Sequence, residues 1–139
     1  MYWAKSVSGG FVILKVGDEL IVPGIPQHKM RYVGPIGPYG EDVLDPPKGQ
    51  VARLVHFNST PDRERLLVGE RGSDDWNEQA NIQARALEVV AKGVVNHTLV
   101  SNCEHIGSYV RHGKPESPQL RIGVGVGLAV LLLWIFGGQ

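Results

Sequence analysis

The run Asn102-Cys103-Glu104-His105 sets the chain's one thiol where a helix would begin. Asn is a preferred N-cap, and a cysteine one residue later lies in the first turn, among unpaired N–H groups and at the positive end of the helix dipole. Both effects favour the thiolate, which is the nucleophilic form. Ile106 and Val110, three and seven residues on, share the helical face of Cys103. That face should pack on a sheet and aim the sulfur at side chains of the strands. Two histidines, His28 and His56, are expected to meet it. One imidazole could take the thiol proton as general base and return it to a leaving group, while the other orients the first or stabilises its charge. Backbone N–H groups around Cys103 would hold the oxyanion of the attacked carbonyl. The thioester so formed would be resolved by water, an amine or a hydroxyl.

The same residues have plainer uses. A lone cysteine can be an inert buried side chain. A zinc centre could be drawn from His97, Cys103, His105 and His112, but the chain has no Cys-x-x-Cys pair to anchor it. Neither a metal nor any other cofactor is expected.

The elements that must position these groups are legible in outline. Phe11–Val16 and Glu19–Val22 read as strands separated by Gly17-Asp18. His28–Val33 alternates, with His28, Met30 and Tyr32 on one side, which predicts a half-buried strand with His28 facing inward. Gly34–Gln50 holds four prolines and four glycines and reads as a long loop, the length of a lid. Val51–Phe57 predicts a strand with Ala52, Leu54 and His56 on one face, and Leu66–Val68 a further short one. Ser73 and Asp74 suggest the start of a helix that runs through Trp76–Lys92, buries Ile82, Ala86, Val89 and Val90, and stops at Gly93. Val94–Val100 is strand-like, and the helix from Cys103 should end at Gly113. Together these predict an α+β domain, an antiparallel sheet with helices packed on one face.

The 139 residues suffice for one compact domain, residues 1–121, followed by a tail, residues 122–139. Lys plus Arg and Asp plus Glu are balanced at 14 each, so no cationic excess supports RNA contact. A single cysteine excludes an internal disulfide and suits a reducing compartment. Met1–Val16 lacks the basic start and long apolar run of a signal peptide. Ile122–Phe136 carries no charge, and as a helix it would reach about 23 Å, short of the roughly 30 Å hydrocarbon core. With Trp134 suited to an interface and Gly123 and Gly127 spaced for helix packing, the tail is expected to associate with membrane lipid rather than to be a core segment.

Asn102-Cys103-Glu104-His105, followed by Arg111-His112-Gly113 and then Ser117, Gln119 and Arg121, resembles the C-terminal signature of the lecithin:retinol acyltransferase superfamily. The nearest branch is the phospholipase A/acyltransferase enzymes, which also end in a hydrophobic anchor. His28 with Tyr32-Val33-Gly34 resembles the family's His box, Gly17-Asp18 its opening Gly-Asp, and Arg85-Ala86 suits the helix before the nucleophile. The likeness covers most of Gly17–Phe136, and the Asn-Cys-Glu-His block is its specific part. It implies a permuted papain-like fold in which histidine precedes cysteine. By that resemblance Cys103 is nucleophile, His28 general base and His56, in Leu54-Val55-His56-Phe57, the third member. The implied chemistry is that of a cysteine-dependent acyl hydrolase or acyltransferase on glycerophospholipid esters, not a protease.

The chain departs from those enzymes in reading His28-Lys29-Met30-Arg31 where they have His-Trp-Ala, in a longer interval from His28 to His56, and in the residue near Asn96 where they carry Tyr. In these respects it is similar to the H-box/NC type of picornaviral 2A protein, which joins a divergent His box to the Asn-Cys motif and a hydrophobic C-terminal stretch. The closing Gly137-Gly138-Gln139 resembles the product of a viral 3C protease. This resemblance implies a non-structural protein that supports genome replication at membranes of the host cytoplasm. Membrane lipid, through residues 122–136, and host or viral replication proteins would be its partners. The alternatives are an active thiol phospholipase A/acyltransferase and a non-catalytic interaction scaffold with a vestigial dyad.

Overall fold

A computed structural model describes residues 1–25, 27–97 and 103–113. Among them the chain forms seven strands: β1 (Trp3–Ser6), β2 (Phe11–Ile13), β3 (Glu19–Val22), β4 (His28–Ile36), β5 (Glu41–Asp45), β6 (Arg53–Val55) and β7 (Leu67–Val68). Two helices follow, α1 (Trp76–Lys92) and α2 (Cys103–His112). The strands make one sheet in the order β2-β1-β7-β3-β4-β5-β6. Every pairing is antiparallel except that of β1 with β7. The architecture is a mixed α+β fold. The expected N-cap at Asn102 and the tail 122–139 lie outside the described residues, as does the stretch 98–100 of the strand-like segment.

The sheet has an apolar cluster on each face. Val33, Leu44 and Ala52 pack with Ile82, Ala86 and Val89 of α1 and with Ile106, Tyr109 and Val110 of α2, so both helices cover one face. Ile82, Val89, Ile106 and Val110 are fully buried, each worth about 1.5–3 kcal/mol of transfer free energy. On the other face Met30, Tyr32 and Val43 meet Ala4, Leu20, Phe57 and Val68, with the Tyr2 and Phe57 rings 4.7 Å apart. Strands and turns of the sheet region supply this second cluster themselves. Strand β4 is therefore central and buried on both faces, not half-buried as its alternation suggested, because β3 and β5 flank it and each face has its own cover.

The expected loop Gly34–Gln50 is largely a hairpin. Strand β4 continues to Ile36, the chain turns through Gly37-Pro38-Tyr39-Gly40, and β5 returns. Gly37 and Gly40 both have positive φ, +76° and +67°, a conformation that favours glycine and lets the turn close. The Pro/Gly richness belongs to the turn and to the Pro46-Pro47 stop, and it masked a five-residue strand between them.

Helix α1 has the predicted limits, though its N-cap is Asp75, whose carboxylate accepts from the Asn77 N–H. Gly93 closes it in the left-handed region at φ +69°. Arg85 reaches from α1 to α2 and donates to the carbonyls of Val110 (2.9 Å) and Arg111 (3.1 Å), satisfying the open C-terminal end of α2. Where α2 crosses β4, Gly107 leaves no side chain, since a Cβ there would lie 2.9 Å from Nε of buried Arg31. Arg31 is itself fixed by bonds to Gly17 O (3.0 Å) and Glu70 Oε1 (2.8 Å). These contacts set the depth of α2 and with it the position of Cys103.

Candidate active site

The antiparallel register of β4 and β5, Arg31 opposite Leu44, brings the start of one strand beside the end of the other. His28 is the first residue of β4 and Asp45 the last of β5. Nε2 of His28 lies 2.6 Å from Oδ1 of Asp45, a carboxylate whose side chain is 3 % exposed. Arg53, opposite Asp45 on β6, donates through Nε (3.1 Å) and Nη2 (3.0 Å) to the other oxygen, Oδ2. The chain just beyond Asp45 is pinned by buried Asn96. Its Nδ2 donates to Pro46 O at 2.7 Å, and its main chain bonds with Gly49 and Gln50.

Cys103 opens α2, half-buried, and lies close enough to the His28 ring and to the Lys29 backbone for both to act on its ionisation. With Nε2 committed to Asp45, Nδ1 is the ring nitrogen left for a second partner. The expected packing of Ile106 and Val110 beneath the cysteine is observed. The manner of contact differs from expectation. The helices cover the side of β4 bearing Arg31 and Val33, whereas His28 has the parity of Met30 and Tyr32. The thiol is thus met at the first residue of the strand, where the sheet ends, and not across the helix-packed face.

The charges reinforce one another. The hydrogen bond to Asp45 and then that to Cys103 hold the His28 imidazolium, whose pKa is pushed up to about 9 against the opposing effect of burial. Burial works against ionisation of Cys103, but the hydrogen bond with His28, the Lys29 N–H and the imidazolium charge outweigh it, and the thiol pKa is lowered. Asp45 is likewise lowered, its burial offset by His28 and Arg53. Both shifts favour the thiolate–imidazolium form of the pair.

His56 is not part of this group. Leu54 is level with Leu44 and hence with Arg31. Because β4 and β6 run parallel, His56 is level with Val33, five residues or about 16 Å along the strands from His28. His56 is also exposed, in the turn after β6. The side chain bonded to the ring of His28 is that of Asp45. Sequence reasoning missed Asp45 by placing it in a loop: three of the five residues Glu41–Asp45 are acidic, which strands disfavour, and only the bounding Gly40 and Pro46 set the segment apart. His112, on the last turn of α2, bonds Glu70 at 3.0 Å, remote from Cys103. Among the described residues no group of three His, Cys, Asp or Glu side chains could hold a metal ion. Nor is any described helix long and apolar enough to cross a membrane.

No protein-family model, curated protein or solved structure matches the chain.

Proposed function

We propose that the chain is a thiol acyl-transfer protein in which Cys103 is the nucleophile, His28 the proton carrier and Asp45 the group that orients and charges the imidazole. The observation that carries this reading is that one ring, His28, joins the sulfur to a buried carboxylate. The Cys103 thiolate adds to an ester carbonyl. N–H groups at the amino end of α2 stabilise the developing oxyanion. His28 gives its proton to the departing alkoxide as the C–O bond breaks, leaving a thioester. Water or another acceptor then attacks the thioester, losing a proton to His28, and the thiolate leaves.

The order histidine before cysteine, with both helices on one face of the sheet, supports the permuted papain-like plan of the lecithin:retinol acyltransferase superfamily. The divergent box at His28-Lys29-Met30-Arg31 and the apolar run 122–136 support the picornaviral H-box/NC 2A type within it, a protein that assists genome replication at host cytoplasmic membranes. The test treats the full chain with a thiol-reactive acyl electrophile and, separately, with phosphatidylcholine. Labelling and fatty-acid release, both abolished by Cys103→Ala, are expected. A folded protein whose Cys103 resists the electrophile would overturn the proposal.

A further inference from the structure

The apolar cover that α1 and α2 give their face lies over β4 to β6, while Arg111 and His112 of α2 reach Arg71 and Glu70 just beyond β7. On the same face, the registers place Phe11, Lys5, Leu67, Ile21 and Lys29 in one row across β2, β1, β7, β3 and β4, with Ile13 and Trp3 in the next. Phe11 is 71 % exposed, Trp3 56 % and Ile13 40 %, with Leu67 and Ile21 half-buried between them and the helices. At about 4.8 Å per strand the row extends roughly 19 Å from Lys29. Lys29 directly follows His28 in β4, so the row ends beside the site. An aromatic and aliphatic surface therefore runs from the sheet's open edge through Leu67 and Ile21 to the Lys29–Glu19 ion pair (3.8 Å) beside the site.

We propose that this face, built on Trp3, Phe11 and Ile13, lies against a lipid bilayer and brings ester-bearing lipid up to Cys103, a role that rests on the acyl-transfer reading. Exposed apolar surface of this kind marks an interaction site, and its chemistry selects the occupant. Tryptophan and phenylalanine with a lysine among them is the composition of an interfacial surface, in which the Lys5 stem lies along the apolar layer and its ammonium reaches anionic headgroups. A second copy fits poorly. Two-fold pairing of this face would press Lys5 of each chain into a shared apolar layer, with no acidic side chain in the Phe11–Lys5–Leu67 part of the row to neutralise it.

The experiment uses the full chain with Trp76→Phe and Trp134→Phe, which leaves Trp3 as the sole tryptophan, and vesicles of bromine-labelled phosphatidylcholine with a minor fraction of phosphatidylserine. Emission from Trp3 should shift to the blue and be quenched. Adding Phe11→Ser and Ile13→Ser should raise the lipid needed for quenching by roughly tenfold. Trp3 that stays unquenched, whether or not the chain sediments with the vesicles, overturns the docking face. Trp3 emission already shielded before lipid is added does so too, and assigns the face to the chain's own tail or, if the protein is dimeric, to a second copy. Electrophile labelling of Cys103 in the lipid-free sample separates the two proposals. Quenching without labelling sinks the acyl-transfer reading and leaves the docking face, and labelling without quenching does the reverse.

Discussion

Nε2 of His28 and Oδ1 of Asp45 stand 2.6 Å apart at the adjoining ends of β4 and β5. The bond fixes which ring nitrogen remains for the thiol and is the first cause of the raised imidazole pKa. A histidine held in this way favours its protonated form beside Cys103, and with it the thiolate in the absence of substrate.

Replacing Asp45 by Asn keeps the shape and removes the charge. His28 should then titrate nearer its ordinary value, and the Cys103 thiol should rise with it. Alkylation of Cys103 by iodoacetamide at neutral pH is expected to slow by roughly tenfold for each unit gained by the thiol, less a partial gain in intrinsic nucleophilicity. Rates measured on the folded variant check this, and an unchanged rate would remove Asp45 from the site.

His56→Ala should do nothing comparable. With His56 level with Val33 and about 16 Å from His28 along the strands, the alkylation rate and its pH profile should match wild type. A slowed reaction would restore His56 as a partner of the pair.

The pH dependence of stability has a sign that follows from both partners. His28 is raised from 6.5 to about 9, so its contribution is complete below pH 6.5 and is lost as pH rises through about 9. Cys103 is lowered from 9.0, so its contribution is present above that value and is lost as pH falls through the lowered one. Wherever the thiol is ionised between pH 6.5 and 9, its contribution opposes that of His28. Wild type should therefore lose stability with rising pH less steeply than a protein with the His28 dependence alone. In Cys103→Ala only the His28 dependence survives, sustained by Asp45, and stability should fall with rising pH. Urea midpoints at a series of pH values measure the difference. Equal slopes for the two proteins would mean that no ion pair forms.

The parts of the fold carried by local signals were readable. Trp76–Lys92 announced itself by composition, periodicity and Gly93, and the helix from Cys103 by Ile106, Val110 and Gly113. Strand β4 was placed, but its burial on both faces was hidden. Arg31 and Lys29 look solvent-facing, while in fact Arg31 is enclosed by Gly17, Glu70 and Gly107. Strand β1 went unread because its pattern is short and its aromatic Trp3 points outward. Asp45 was invisible for a related reason. A buried carboxylate is recognisable only through its partners, and these come from positions 28 and 53, brought together by register.

Gly107→Ala separates the positioning of Cys103 from the stability of its helix. Alanine favours the helical backbone by about 1 kcal/mol over glycine. Its Cβ would nevertheless fall 2.9 Å from Arg31 Nε, and Arg31 cannot yield without loosening its bonds to Gly17 O and Glu70. The crowding should cost about 1–3 kcal/mol, so the net loss is small. The relief open to the structure is for α2 to lift from β4, which moves the sulfur away from the ring of His28 and the N–H of Lys29. Cys103 alkylation at neutral pH should therefore slow well beyond what the urea midpoint suggests. Ile106→Val on the adjacent position supplies the contrast. It leaves a small cavity under α2, lowers stability by about 0.5–1.5 kcal/mol, and should leave the alkylation rate near wild type. If both variants lose reactivity in proportion to stability, the close approach at Gly107 does not position the thiol.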